Sequence, residues 1–265
     1  MTQKQEYRYS RHFLLEGFGK EGQDRLLHSS VLIIGAGGLG SPCALYLAAA
    51  GVGTIGIADA DVVSISNLQR QVIHFTTDVN RPKVESAAEK VRQINPDVQV
   101  ITYDTYITED NALEIIRDYD FIIDCTDSYA SKYLINDACV MAGKPFCAGG
   151  VVKYGAQVMT HIPGTACYRC LFPEPPASKD VETCATVGVL GSVVGIMGSI
   201  QATEALKYLT GIEQLLTNRL LIIDALTMEF QTLQFYPNPE CPLCGEHPTI
   251  TELNEYSFQP CRLKK

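Results

Sequence analysis

The sequence predicts an α/β fold built on a mostly parallel sheet and extended by antiparallel strands. Three observations carry that reading. A short apolar run, Val31–Ile34, of the kind buried as a central parallel strand, leads straight into Gly35-Ala36-Gly37-Gly38-Leu39-Gly40 and then into an Ala- and Leu-rich stretch. Up to about Ala148, further strand-length apolar runs alternate with helical patterns, as they do in parallel sheets. Beyond that point the pattern changes. Gln157–His161 and Glu229–Phe235 alternate with a period of two, and Leu220–Asp224 is a buried run between them.

The elements follow in order. Residues 1–30 hold two predicted helices, around Tyr7–Leu15 and Gly19–His28. The glycine run after the first strand fits the G-x-G-x-x-G fingerprint of a Rossmann-like fold. Gly35 permits the tight turn, Gly37 lets backbone approach a phosphate, and Gly40 allows close helix–strand packing. Ser41 is expected to cap the helix Ser41–Ala50, with Pro42 in its first turn. Strand Thr54–Ala58 then delivers Asp59, the position at which an acid binds ribose hydroxyls. A helix is expected from Arg81 to Ile94, then strand Val98–Tyr103, helix Ala112–Arg117 and strand Asp120–Asp124. Helix Ser131–Ala142 and strand Pro145–Ala148 complete the parallel half. Later come a Pro-rich loop, Phe172–Thr183, and a long small-residue helix, Val189–Leu209.

At 265 residues with 46% apolar content, the chain suffices for one large α/β domain with at most a small appendage. The division expected is residues 1–246 as a nucleotide-binding domain and 247–265 as a C-terminal tail. A formal charge of −9 argues against general nucleic-acid binding, because nothing neutralises phosphate along an extended surface. The opening MTQKQEYRYSR is polar and lacks the apolar stretch of a signal peptide. The 20 uncharged residues Cys184–Thr203 raise the question of a membrane span. Their four glycines and several polar residues favour a tightly packed buried helix instead. A cytoplasmic protein with no membrane partner is therefore expected, its ten cysteines reduced.

Several residues carry chemistry. Cys167, Cys170, Cys241 and Cys244 form two C-x-x-C knuckles, which in a reduced chain supply the four thiolates of a closed structural zinc site, a four-cysteine zinc knuckle. His247 is read as a bystander, since four sulfurs saturate the metal. Arg11, Arg70 and Lys83 lie in segments adjoining the glycine loop. Lys83 lies in the first turn of the Arg81–Ile94 helix, behind Pro82, where a cation opposes the dipole, so it needs another reason to be there. Three such cations near two aspartates suggest a polyphosphate clamp rather than a dinucleotide site. Asp127, after the fourth strand, faces the same crevice; it would hold Mg²⁺ or merely cap the next helix. Cys184, between a loop and a helix start, is weighed evenly as a functional or a passive thiol. Cys43, Cys125, Cys139 and Cys147 read as core.

Taken together, these residues resemble a known family, the ThiF/MoeB adenylyltransferases, relatives of the ubiquitin-activating enzymes. The resemblance rests on Arg8-Tyr9-Ser10-Arg11, Gly35–Gly40, Asp59, Ser66-Asn67-Leu68-Gln69-Arg70-Gln71, Arg81-Pro82-Lys83, Asp124-Cys125-Thr126-Asp127, both knuckles and Thr183-Cys184, in family order from Tyr7 to Gly245. It implies a homodimeric enzyme that uses ATP and Mg²⁺ to adenylate the Gly-Gly carboxylate of a ubiquitin-like sulfur carrier protein. By the same resemblance, Gly35, Gly37, Gly38, Gly40, Asp59, Ser66, Asn67, Gln69, Arg70, Lys83, Asp127 and Ser128 would form the nucleotide site. Arg11 would reach the other subunit's site as an arginine finger, and Cys184 would serve later sulfur transfer. Ser128 stands where the family commonly has Asn, which weakens an expected adenine contact. No rhodanese domain follows, so sulfur is expected from a separate donor protein. Similarity around Arg8–Arg11, Phe75–Lys83 and Thr210–Glu213 leans toward a ThiS-like carrier of thiamine thiazole synthesis, with the MoaD-like carrier of molybdopterin synthesis as the alternative. From the residues alone, an NAD-dependent oxidoreductase and a non-catalytic carrier-binding scaffold are the readings of other classes. The first lacks a separate substrate domain and a role for Arg70 and Lys83; the second leaves the cation set unexplained.

Overall fold

A computed structural model describes residues 1–176, 184–254 and 256. Its eight strands form one sheet in the order β3-β2-β1-β4-β5-β6-β7-β8. The strands are β1 (Ser30–Ile34), β2 (Thr54–Ala58), β3 (Gln99–Tyr103), β4 (Phe121–Asp124), β5 (Phe146–Val152), β6 (Gly155–His161), β7 (Arg219–Asp224) and β8 (Glu229–Gln234). The first five pair in parallel, and β6 to β8 add an antiparallel extension. The expected fold class is therefore observed.

The helices are α1 (Gln3–Arg8), α2 (Gly19–Leu27), α3 (Gly40–Ala50), α4 (Lys83–Ile94), α5 (Ala112–Ile116), α6 (Tyr129–Met141), α7 (Tyr168–Leu171), α8 (Cys184–Val187) and α9 (Gly191–Thr210). One core packs α2, α3, α4 and α9 onto the sheet, around Val31, Ile33, Leu47, Ile55, Val91 and Met197. The other face carries α5, α6 and α7 around Leu32, Ile122, Tyr133, Ile135 and Phe146. Burying both faces explains why the parallel strands read as continuous apolar runs.

The first predicted helix is corrected. Thr2 and Gln5 form a capping box that starts α1 at Gln3. The helix stops at Arg8 because Tyr9 turns into the core. There its hydroxyl accepts from Asn95 at 2.8 Å, and it fills space that only a glycine at position 51 leaves open. Ser41 is also not a cap. Leu39 occupies that position, and the Ser41 hydroxyl donates to the Gly37 carbonyl at 2.7 Å. β5 runs four residues past Ala148 because β6 pairs with it over its whole length. Cys43, Cys125, Cys139 and Cys147 are all buried.

The long uncharged stretch takes in the first 13 residues of α9, which packs against α3 and β5. No helix among the described residues is long and apolar enough to cross a membrane. Close approach is possible because Gly198 has no side chain; a Cβ there would sit 2.3 Å from the Leu39 carbonyl oxygen.

The expected packing role of Gly40 is quantitative. A Cβ at Gly40 would lie 2.0 Å from the Gly35 carbonyl oxygen, with backbone on both sides and nothing free to yield. Gly40→Ala should cost about 1–3 kcal/mol by overpacking, read as a lower urea midpoint at unchanged slope. Gly195→Ala, whose Cβ would meet nothing within 4 Å in the same fold, should instead be neutral or stabilise by up to ~1 kcal/mol through helix propensity.

Candidate active site

Strand order reverses between β1 and β4, and in open α/β sheets ligands gather at the carboxyl ends of such strands. A cavity of about 520 Å³ opens there. It is lined by Gly35, Gly37 and Gly38 after β1, Asp59 and Asp61 after β2, and Cys125 to Asp127 after β4, together with Arg70, Gln71, Lys83 and Lys132. Its far end runs along β5, β6 and β7 past Gly150, Gln157 and Ile222.

Gly35 holds φ +99°, and a Cβ on it would lie 2.9 Å from the Cys125 carbonyl oxygen, so no other residue fits this turn. Among the described residues, no protein acceptor takes the Gly37 or Gly38 amide. Two free amides ahead of a helix N-terminus form the kind of concavity that cradles an anion. Asp59 is folded into this loop: its carboxylate accepts from Ala36 N and Asp61 N, each at 2.8 Å. Burial above all pushes the Asp59 carboxyl above the ordinary range, against the pull of Lys83 and of the two amides.

The reason for Lys83 at the start of α4 is now visible. Its ammonium donates to Asp61 at 2.8 Å and lies 3.9 Å from Asp59, so local carboxylates outweigh the opposing helix dipole. Burial works to raise the Asp61 carboxyl, but Lys83 and then the Tyr106 hydroxyl outweigh it and hold it low. The same hydrogen bond from Tyr106 to Asp61, at 2.8 Å, pushes the phenol up to about 12. Arg70 lies alongside Gly38 and donates to the Ser66 carbonyl at 3.2 Å.

The capping alternative for Asp127 is settled by its neighbour. Ser128 caps α6, accepting from Ser131 N at 3.1 Å. Asp127 is exposed to the cavity and makes no hydrogen bond among the described residues.

Of the sequence-predicted site residues, the structure gathers Gly35, Gly37, Gly38, Asp59, Arg70, Lys83 and Asp127 in the cavity wall. Ser66, Asn67 and Gln69 lie in the segment before Arg70, Ser128 is occupied as a cap, and Gly40 lies behind the loop; none of the five lines the cavity. Arg11 sits on the surface, two residues past the Tyr9 anchor and away from this cavity. Cys184 opens α8, but its side chain, like Thr183, lies outside the described residues.

Sequence reasoning missed Asp61, Tyr106, Gln71 and Lys132. Lys132 carries the signal that singled out Lys83, a cation near a helix start. Its ammonium donates to Asp124 at 3.1 Å and to the Gly149 carbonyl. Gln71 is buried with its Oε1 unpartnered, and its Nε2 lies beside Gly37.

The four knuckle cysteines converge away from this cavity. Sγ–Sγ distances of 3.4 Å (Cys170–Cys244 and Cys167–Cys244), 3.7 Å (Cys167–Cys241) and 3.9 Å (Cys167–Cys170) bracket the ~3.8 Å between sulfurs around a tetrahedral ion bonded at about 2.3 Å. All four lie within 4.8 Å of one another, and His247 is not among them.

The arrangement defines a doubly wound α/β protein with a glycine loop opening onto the cavity at its switch point. More narrowly, the ThiF family profile matches residues 9–243, and the chain belongs to the ThiF family. It is 48% identical over 239 residues to the SAMP-activating enzyme E1 of Haloferax volcanii, covering 90% of this chain and 88% of that one. It is 44% identical over 261 residues to a sulfur carrier protein adenylyltransferase of Thermus thermophilus, covering 96% of both. The adenylyltransferase and sulfurtransferase MOCS3 of Sus scrofa is 45% identical over 258 residues, and the chain spans 57% of its length. Among solved structures, E. coli MccB with MccA-N7isoASN superposes at TM-score 0.80 and 23% identity, over 91% of this chain and 74% of that one. That likeness shows the fold.

Behind the loop, Asp78 is buried and accepts from Lys90 at 2.6 Å, Arg81 at 2.8 Å and Phe75 N at 2.8 Å. Burial opposes its charge, but the Lys90 bond leads the groups that overcome it and hold the carboxyl down at about 2. Its folded value lies below its unfolded one, so its stabilisation is complete above about pH 4 and is lost as pH falls toward 2. Asp78→Asn should lose roughly 3–5 kcal/mol at pH 7, because Lys90 is left buried without its partner. Denaturant curves of the two proteins should converge between pH 4 and 2.

Proposed function

We propose that this chain adenylates the C-terminal carboxylate of a ubiquitin-like sulfur carrier protein at the expense of ATP. The carrying observation is the joint presence, in one cavity, of two loop amides and an Asp127 without partners among the described residues, together with Arg70 and Lys83. Relatives named for the activation of SAMP and of a sulfur carrier support the substrate class.

In this reading the Gly37 and Gly38 amides, Arg70 and Lys83 bind the triphosphate, and Asp59 the ribose. Gly35 and Gly40 shape the loop; Ser66, Asn67 and Gln69 present Arg70; Ser128 fixes the start of α6. A carboxylate oxygen of the carrier attacks the α-phosphorus as the bond to the β-phosphate oxygen breaks, leaving an acyl-adenylate and pyrophosphate. The protein forms no covalent bond in this step, so positioning and charge neutralisation supply the acceleration. Asp127 is the residue that would hold Mg²⁺, which neutralises charge on the phosphate oxygens when bound. The channel along β5 to β7 would take the carrier's extended end, since glycines 150 and 155 leave it room. Lys83, paired to the half-exposed Asp61, can turn to a phosphate without reorganising the fold.

Further parts of the reading extend this. The protein works as a homodimer, Arg11 reaching the site of the second copy from its exposed position past the Tyr9 anchor. Residues 1–246 are the working unit and 247–265 a tail. The four cysteines hold a structural Zn²⁺ that ties the segment before the tail to α7. A reducing, cytosolic setting, in which the knuckle thiols stay available for the metal, belongs to the same reading. Cys184 takes part in sulfur transfer from a separate donor protein. The carrier is ThiS-like, with a MoaD-like carrier as the second reading.

Carrier-dependent exchange of pyrophosphate into ATP, run with ThiS-like and MoaD-like carriers side by side, tests all of this. Exchange with a ThiS-like carrier alone is expected, and exchange with a MoaD-like carrier alone would transfer the assignment. Arg70→Ala and Lys83→Ala should each lower exchange at least 100-fold while remaining folded, whereas Cys184→Ala should retain it. Silence from both carriers would return the scaffold reading. Separately, purified protein should contain about one zinc per chain, and its removal by a chelator should lower the unfolding temperature. Zinc-free protein of undiminished stability would refute the knuckle assignment.

A further inference from the structure

His74 is buried behind the glycine loop, and both its ring nitrogens reach protein atoms. Nε2 is 2.8 Å from the Ala36 carbonyl oxygen, and Nδ1 is 2.8 Å from the Ser86 hydroxyl. A carbonyl can only accept, so Nε2 carries a proton, and with the ring neutral Nδ1 accepts from the Ser86 hydroxyl. The Ser86 oxygen in turn lies 3.4 Å from the Lys90 ammonium, whose charge is matched by Asp78 at 2.6 Å. Donors thus run one way, from Lys90 through Ser86 and His74 to Ala36.

The end of that chain falls on a consequential peptide. The Ala36 carbonyl and the Gly37 N–H belong to one planar trans unit, so they point to opposite sides. Holding the carbonyl against His74 turns the Gly37 amide the other way, toward the cavity. A flipped unit, which glycine at 37 tolerates sterically, would present a carbonyl dipole to a phosphate instead. On the preceding peptide, Ala36 N is already held by Asp59 at 2.8 Å. One side of this loop is therefore secured by a carboxylate and the other by an imidazole.

We propose that His74 is a positioning residue for nucleotide binding, fixing the Ala36–Gly37 peptide so that its N–H faces phosphate. The proposal rests on the nucleotide-binding reading above and not on the identity of the carrier. Burial is the main reason the ring stays below the usual histidine range, with Lys83 and Lys90 adding to it and Asp78 and the Ala36 carbonyl opposing. The neutral donor form therefore persists through physiological pH.

The test compares Mg-ATP affinity by calorimetry for the full chain and for His74→Gln, His74→Phe and Ser86→Ala. Gln places an amide N–H near the Nε2 position, so His74→Gln should stay within about threefold of the parent protein. His74→Phe should lose 10- to 100-fold in ATP affinity and raise the KM for ATP, with carrier KM unchanged. Ser86→Ala should fall between them. Imidazole ¹⁵N spectra, read on a chain with only five histidines, should show His74 neutral and protonated at Nε2 at pH 7 and below 6.5. A folded His74→Phe that binds ATP within twofold of the parent, or a charged or Nδ1-protonated ring at pH 7, would overturn the proposal. Should His74→Phe fail to fold, the His74→Gln affinity and the spectra decide. ATP binding without any carrier-dependent exchange would count against adenylation but leave this comparison intact.

Discussion

The backbone contact between Gly40 and Gly35 is the constraint on which the site depends. It lets α3 begin directly beneath the loop that leaves β1, so the loop amides and the helix N-terminus share one cavity wall. Two further glycines extend the same principle outward. Gly198 seats α9 against the Leu39 carbonyl, and Gly191 seats the start of α9 against the backbone of Gln69 and Arg70. α9 thereby braces both the loop and the segment that carries Arg70. Apolar burial stabilises these layers in bulk, but the absence of four Cβ atoms determines how closely they approach.

The parts legible from the sequence were those governed by local rules. Continuous apolar runs identified β1, β2 and β4, and the spacing of Gly35, Gly37 and Gly40 located the turn. Asp59 and Asp127 followed from topology alone, because strand ends at a switch point face one crevice. Lys83 was conspicuous as a cation where a helix disfavours one. What escaped depends on partners distant in sequence. The N-terminal helix was misplaced because Tyr9 answers to Asn95 and Gly51 rather than to its neighbours. β5 was drawn short because its last four residues are strand only while β6 pairs with them. Lys132 and Asp61 acquire meaning from Asp124 and Lys83, and His74 from Ala36, none of them within the same element. Asp127 could be read as cap or ligand until the structure showed Ser128 capping α6 by accepting from Ser131 N.

The knuckle shows the opposite balance. Two C-x-x-C pairs 74 residues apart by position, Cys167 to Cys241 and Cys170 to Cys244, were paired from chemistry alone, and their sulfurs do meet. A closed four-sulfur set requires its members to converge wherever they lie in the chain, so ligand chemistry predicted a contact that periodicity could not.

Charge explains why this wall can exist before any ligand arrives. Lys83 and Lys132 are both largely buried, and an unpaired ammonium there would carry a desolvation cost of several kcal/mol. Each has a carboxylate instead: Asp61, with Asp59 close by, for Lys83, and Asp124 for Lys132. The two pairs differ in what surrounds the carboxylate. Asp124 is itself buried, and Thr126 donates to it twice, at 2.6 and 2.9 Å, which holds that pair as fixed structure. The Asp61 side chain is 52% exposed, so water can solvate it when Lys83 turns elsewhere. Lys83 can therefore turn from Asp61 at less cost than Lys132 from Asp124, while staying within reach of Asp59. The difference in exposure between two aspartates separates the cation that can follow a phosphate from the one that holds the floor of the site.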